Sequence, residues 1–155
     1  MLAGQSAKIG PNLNQAATKV GVSEGGRAVG KIRLLIIDDR DTVRQALEER
    51  LGHAPEIELV GSAGSTAEGL QAVRALSPDV VLLEIKLADG SGLDTCRRIL
   101  QASPSARVVV LTSYVDEAER QAAFQAGAAS YVLKDIDSQL LIRAIESIHC
   151  NHSYA

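Results

Sequence analysis

No stretch of this chain approaches the roughly 20 consecutive apolar residues that a membrane-spanning helix needs, so no transmembrane segment is expected. The N-terminus lacks a basic start followed by an apolar run and does not read as a secretory signal. Positive charge is not in excess. Sixteen Lys and Arg stand against 19 Asp and Glu, a formal net charge of −3, which leaves no electrostatic footprint for nucleic acid or for an anionic membrane surface. Cysteine is scarce. Cys96 and Cys150 have no metal-ligand spacing, and a reduced, cytoplasmic setting is the simplest reading. Aromatic residues make up only 3%, but composition is otherwise that of an ordinary globular protein.

The 155 residues suffice for one domain with a real core and fall short of two. Residues 1–30 hold six of the 13 glycines and no apolar periodicity beyond a short turn of helix around Gln15 to Val20. Such a segment buries too little surface to offset the entropy of ordering, and it is expected to be a flexible tail. A domain over residues 31–150 and a short C-terminal tail over 151–155 complete the expected organisation, with no further output domain.

From Lys31 onward, short apolar runs alternate with amphipathic stretches. The runs are Ile32 to Ile37, Ile57 to Val60, Val80 to Leu83, Val108 to Leu111 and Tyr131 to Leu133. Each is too short for a helix and continuous enough for a strand buried on both faces. Between them, Ser65 with Glu68, Ser91 with Asp94 and Asp116 with Glu119 have the spacing of helix N-terminal caps. Asp41 reads as a cap for the first helix. Val43, Leu47 and Leu51 share one helical face, as do Leu141, Ala144, Ile145 and Ile148. Gly52 and Gly127 fit helix stops. The pattern is (βα)5, an α/β fold with a parallel sheet, right-handed crossovers and helices on both faces.

In such a sheet the functional crevice lies beyond the carboxyl ends of the strands. The residues that follow the runs are Asp38-Asp39, Glu84, Thr112-Ser113 and Lys134-Asp135, so positions almost a hundred residues apart meet at one edge. Crowded carboxylates repel and call for a cation. Oxygen ligands suit Mg²⁺, which is held by one or two carboxylates plus waters and phosphate oxygens. An ammonium and a hydroxyl opposite the carboxylates can take the remaining oxygens of a phosphoryl group. Singly, each residue has an ordinary alternative: Thr112 a turn residue, Lys134 a solvated charge. Their joint placement at strand ends favours the site. Cys96 falls on the apolar side of its helix and reads as core. His53, His149 and His152 carry no pattern.

The segments Leu34-Leu35-Ile36-Ile37-Asp38-Asp39, Pro78 to Glu84, Val110-Leu111-Thr112-Ser113 and Tyr131-Val132-Leu133-Lys134-Asp135 resemble receiver domains of two-component response regulators. Lys86 to Gly92 and Ala126 to Tyr131 look most like the NarL/LuxR-type subgroup. The resemblance covers about residues 31 to 149. It implies a flavodoxin-like, doubly wound sheet with strand order 2-1-3-4-5. It implies that Asp38 and Asp39 hold Mg²⁺ with the backbone carbonyl of Lys86, that Thr112 and Lys134 bind phosphoryl oxygens, and that Thr112 and Tyr131 form the switch. Tyr131 would couple the site to the face made by the fourth helix, fifth strand and fifth helix. There the fourth helix offers mainly Ala118, Ala122 and Ala126, with Phe124 as its one large apolar group. Expected partners are a histidine kinase or another protein, with a homodimer among the arrangements allowed.

Two positions depart from the family pattern. The phospho-acceptor position holds Glu84 instead of aspartate, and the position four residues later, usually proline, holds Ala88. The second is expected to change only loop stiffness. The first puts ordinary phosphorylation in doubt: the added methylene displaces the nucleophile, while its charge reaches towards Lys134 and Thr112 as a phosphorylated aspartate would. Glu84 would also remain a metal ligand. Three readings follow: a receiver that feeds a transcriptional output, a phosphorylation-independent interaction module, and a small flavodoxin-like enzyme. The last is set aside because Asp38-Asp39 stand where a glycine-rich phosphate loop would be needed, and no enzyme activity is expected.

Overall fold

The continuous β-branched runs build a parallel sheet. The computed structural model describes residues 7–9 and 30–154. In chain order the elements are β1 (Ala7–Ile9), β2 (Ile32–Ile37), α1 (Asp41–Gly52), β3 (Ile57–Ala63), α2 (Thr66–Leu76), β4 (Val80–Glu84), β5 (Lys86–Leu87), β6 (Gly90–Ser91), α3 (Gly92–Ala102), β7 (Arg107–Thr112), α4 (Glu117–Gln125), β8 (Ser130–Leu133) and α5 (Ser138–Tyr154). The main sheet has six strands in the order β1-β3-β2-β4-β7-β8. It differs in detail from the expected five. Within the stretch read as a tail, Ala7–Ile9 pairs antiparallel with Ala63 to Gly61 on the outer edge of β3. The strands β2, β3, β4, β7 and β8 pair in parallel throughout. A lone edge strand leaves a row of unpaired backbone groups, and even a three-residue partner satisfies some of them. The expected helix around Gln15 to Val20 lies outside the described residues. At the other end α5 continues to Tyr154, past the boundary expected at 150.

Alternation along the strands sorts the core into two layers. Leu35, Ile37, Val81, Leu83, Val108 and Val110 pack under α2, α3 and α4, and Cys96 is buried there as expected. Burial pushes its thiol up to about 11, which suits a packing role better than a reactive one. Leu34, Ile36, Val80, Leu82, Val109 and Leu111 face the other way, against Leu47 and Leu51 of α1 and Leu141, Ile142 and Ile145 of α5. On α5 the apolar face is therefore wider than the periodicity suggested. On α4 the reverse holds: Ala123 is the buried residue, while Ala118 and Phe124 are exposed.

Helix starts follow their caps. Ser65 accepts the N–H of Glu68, Ser91 that of Leu93, and Asp116 that of Glu119. The expected Asp41 cap is corrected. Asp41 is already the first helical residue, its carboxylate is paired with Arg44 at 2.7 Å, and Arg40 occupies the cap position without a side-chain bond to the helix's first turn. Gly127 does end α4's turn with φ +105°, a conformation that side chains disfavour.

One glycine ties the fold directly to the site. Gly92 opens α3 and donates its N–H to the Ile85 carbonyl at 2.9 Å. A Cβ there would lie 2.4 Å from that carbonyl oxygen and 2.6 Å from Ile85 Cα. Backbone cannot yield as a side-chain tip does. Gly92→Ala is expected to cost about 1–3 kcal/mol of stability, as overpacking does. It should also displace amide resonances of residues 84–86; a variant with wild-type melting and unshifted resonances would show that the contact is relieved elsewhere.

Candidate functional site

The carboxyl ends of β2, β4, β7 and β8 bring Asp38, Glu84, Thr112 and Lys134 to one edge, as parallel pairing requires. Asp38 is 1% exposed and Glu84 3% exposed. Charges so deeply placed must be paired. The ammonium of Lys134 serves both: it lies 2.9 Å from Asp38 Oδ2 and touches Glu84 Oε1. Neither Asp38 Oδ2 nor Lys134 Nζ has a well-aimed hydrogen bond, so the contact is one of charge. The other oxygens are satisfied by backbone. Asp38 Oδ1 accepts the Arg40 N–H at 2.9 Å, and Glu84 Oε2 accepts the Lys86 N–H at 2.8 Å. The guanidinium of Arg40 approaches Glu84 Oε1 at 3.5 Å from a half-exposed position.

Asp39 is partnered differently. Its Oδ2 accepts the N–H of Ala88 at 2.6 Å. Proline, which the family resemblance leads one to expect at that position, has no N–H to give. The expectation that Ala88 changes only loop stiffness is therefore corrected: it supplies a donor that holds Asp39. The same loop is pinned at its far side, where both oxygens of Asp89 accept the Thr66 N–H at 3.0 and 3.1 Å. That backbone bond holds the Asp89 carboxyl below its ordinary range.

Thr112, 3% exposed, does not bond to Glu84. Its hydroxyl has one proton to give, shared between the Tyr114 carbonyl at 2.9 Å and Glu119 Oε1 at 3.2 Å. Glu119 Oε1 also accepts the Tyr131 hydroxyl at 2.5 Å. Burial, and then the bond to Glu119, push the Tyr131 phenol up. The expected reach of Glu84 towards both Lys134 and Thr112 is thus met on the Lys134 side alone. Ser113 and Asp135 are exposed and take no part in these contacts.

Sequence reasoning missed three contributors. Arg40 and Glu119 are two. The third is Arg50, at the end of α1, which donates to Ser138 Oγ at 2.9 Å, to the Ile136 carbonyl at 2.6 Å and to the Lys134 carbonyl at 3.4 Å. It fixes the backbone that carries Lys134. No local signal marks an arginine for a partner more than eighty residues away.

The donor set fits Mg²⁺ in kind: two carboxylates of adjacent residues and hard oxygen atoms near them. It fits less well in placement. Asp39 is engaged by Ala88, and among the described residues no group of three or more His, Cys, Asp or Glu is arranged to hold a metal ion. A net hydrogen bond is worth about 0.5–1.5 kcal/mol, so removing the competing donor should matter. Ala88→Pro is expected to tighten Mg²⁺ binding by roughly 2- to 10-fold, read from amide shifts at residues 38, 39 and 86 during titration. An unchanged affinity would mean that Asp39 leaves Ala88 at no cost.

Among the described residues no helix is long and apolar enough to cross a membrane. The family model for the response regulator receiver domain matches residues 34–146. The chain is 39% identical over 122 residues to the DNA-binding transcriptional activator DevR/DosR of Mycobacterium tuberculosis, covering 79% of this chain and 56% of that protein. It is 34% identical over 116 residues to the transcriptional regulatory protein LiaR of Bacillus subtilis, covering 75% and 55%. The chain spans about half the length of these curated relatives. Among solved structures, it is similar to a LuxR-family two-component response regulator from Aurantimonas sp. SI85-9A1, with TM-score 0.74, 30% identity and coverage of 79% and 87%. It is also similar to the receiver domain of a putative NarL response regulator of Mycobacterium tuberculosis, with TM-score 0.73, 25% identity and coverage of 77% and 96%. Fold, family model and relatives agree: the chain belongs to the response regulator receiver domain family.

Proposed function

We propose that this chain is the signal-input domain of a NarL/LuxR-type response regulator in which Glu84 stands at the phospho-acceptor position and partly takes the place of the phosphoryl charge. The observation that carries this reading is the contact of the buried Glu84 carboxylate with Lys134 Nζ. Lys134 is the group that would hold a phosphoryl oxygen, and here a protein carboxylate already occupies it. Attack must run in line with the donor while Lys134 and Thr112 hold the transferred oxygens, and a carboxylate one methylene longer is displaced from that line.

In this reading Asp38, Asp39 and the carbonyl of Lys86 would hold Mg²⁺, with Glu84 beside them. When bound, the ion supplies charge neutralisation for phosphoryl oxygens. Asp38 anchors Lys134, Arg50 holds the backbone behind it, and Thr112 offers a hydroxyl to the site once it leaves Tyr114 and Glu119. The transcriptional output belongs to this proposal by likeness to the relatives' names, and a kinase partner and a cytoplasmic location belong to it through the receiver family. So does a contact face on α4, β8 and α5.

The second reading is a phosphorylation-independent interaction module. It is favoured by the way Lys134, Arg40 and the N–H groups of Lys86 and Ala88 already satisfy the carboxylates. Beryllofluoride binding and acetyl phosphate labelling of the wild-type chain and of Glu84→Asp separate the two. Glu84→Asp gains both in the first reading. In the second neither chain responds.

A further inference from the structure

We propose that Glu119 is a positioning residue that latches α4 in the resting arrangement by holding the Thr112 hydroxyl and the Tyr131 hydroxyl on one carboxylate oxygen. Thr112 ends β7, Tyr131 lies on β8, and Glu119 is in the first turn of α4. Glu119 Oε1 lies 3.2 Å from Thr112 Oγ1 and 2.5 Å from the Tyr131 hydroxyl. The same phenol oxygen accepts the N–H of Asp116, the α4 cap, at 3.2 Å. Three elements thus meet through two side-chain hydroxyls and one carboxylate.

Little else holds this helix. Within Glu117–Gln125 only Ala123 is buried, and Phe124 is 40% exposed. A helix with so small an apolar footprint belongs among the easier elements to release, and charge-assisted bonds are the stronger kind. The latch also decides where Thr112 points. A hydroxyl shared between the Tyr114 carbonyl and Glu119 is withheld from Glu84 and Lys134. Any group at the site that draws Thr112 inward must take it from Glu119, and so loosens α4. Coupling then equals the difference in Thr112's bonding between the two arrangements, and no more than that. Only this last step rests on the receiver reading; the latch itself does not.

The test uses the full chain. Glu119→Ala and Glu119→Gln are compared with Glu117→Ala, which removes a neighbouring first-turn charge that among the described residues is paired with exposed groups, Arg120 at 3.2 Å and Gln121 at 3.4 Å. Loss of a helix-terminal charge alone affects both positions alike. We expect amide exchange over residues 117–125 to quicken about tenfold or more in Glu119→Ala and only slightly in Glu117→Ala. The Tyr131 ring-carbon titration should move down towards the ordinary phenol value in both Glu119 variants. Glu119→Gln, which keeps an acceptor, should show less of the exchange effect. In a Glu84→Asp background, Glu119→Ala should bind beryllofluoride more tightly. Equal exchange in Glu117→Ala and Glu119→Ala, or an unmoved Tyr131 titration, overturns the latch. Absence of beryllofluoride binding in both Glu84→Asp chains, with exchange and titration changed as expected, removes the phosphorylation reading and leaves the latch standing.

Discussion

Glu84→Asp is expected to gain labelling by acetyl phosphate and binding of beryllofluoride, with a rate on the order of 100-fold above the wild-type chain. The magnitude follows from geometry. Displacing a reacting atom by about 1 Å loses roughly 100-fold in rate, and one methylene moves a carboxylate by at least that much. The environment gives the glutamate no way to retreat. It ends β4, one of its oxygens is fixed by the Lys86 N–H at 2.8 Å, and the other abuts Lys134. Asp38 on β2 holds Lys134 from behind at 2.9 Å. Shortening the side chain withdraws it from Lys134 and opens the place where a phosphoryl or beryllofluoride group must sit. Glu84→Gln, which has no carboxylate nucleophile, should stay unlabelled and sets the background for both chains. Labelling of the wild-type chain at a rate near that of Glu84→Asp would refute the steric argument.

The layout of this site was readable because a parallel sheet places consecutive strand ends on one edge. Ile32–Ile37 runs from the first to the last residue of its apolar run, and Asp38 follows directly. Ser65, Ser91 and Asp116 marked helix starts, because a cap is a local bond between neighbours in sequence. What escaped has a different physical character. Ala7–Ile9 is three residues long, too short for any alternation to show, and its partner is an edge more than fifty residues away. Arg50 and Glu119 act across the fold through long side chains whose ends meet only once the backbone is placed. Glu119 was visible as part of a cap, yet its carboxylate serves Thr112 and Tyr131 instead. Ala88 was noticed as a missing proline, but the consequence lies in a backbone N–H that proline would lack, and that N–H mattered only when Asp39 was found 2.6 Å away.

Lys134→Met is expected to destabilise the domain by about 3–5 kcal/mol, the cost of removing one partner from a buried charge pair. Methionine keeps much of the volume and the stem, so the loss isolates the charge. Asp38 and Glu84, 1% and 3% exposed, would then face each other without their shared cation. Arg40 offsets little of this, because at 3.5 Å from Glu84 and half exposed it is a screened, weak partner. A divalent cation is the one substitute the site's oxygen chemistry admits. Mg²⁺ should therefore stabilise Lys134→Met more than it stabilises the wild-type chain. At 100 times its dissociation constant the gain is about 2.7 kcal/mol. Adding Glu84→Gln removes one of the stranded charges, so the double variant should be less destabilised than the two single losses added together, by roughly 0.5–3 kcal/mol. Urea unfolding of the four chains, with and without Mg²⁺, reads all of these quantities. A loss under about 1 kcal/mol in Lys134→Met, indifferent to Mg²⁺ and additive with Glu84→Gln, would mean that water reaches the carboxylates and that Lys134 is not the counter-charge on which this sheet edge depends.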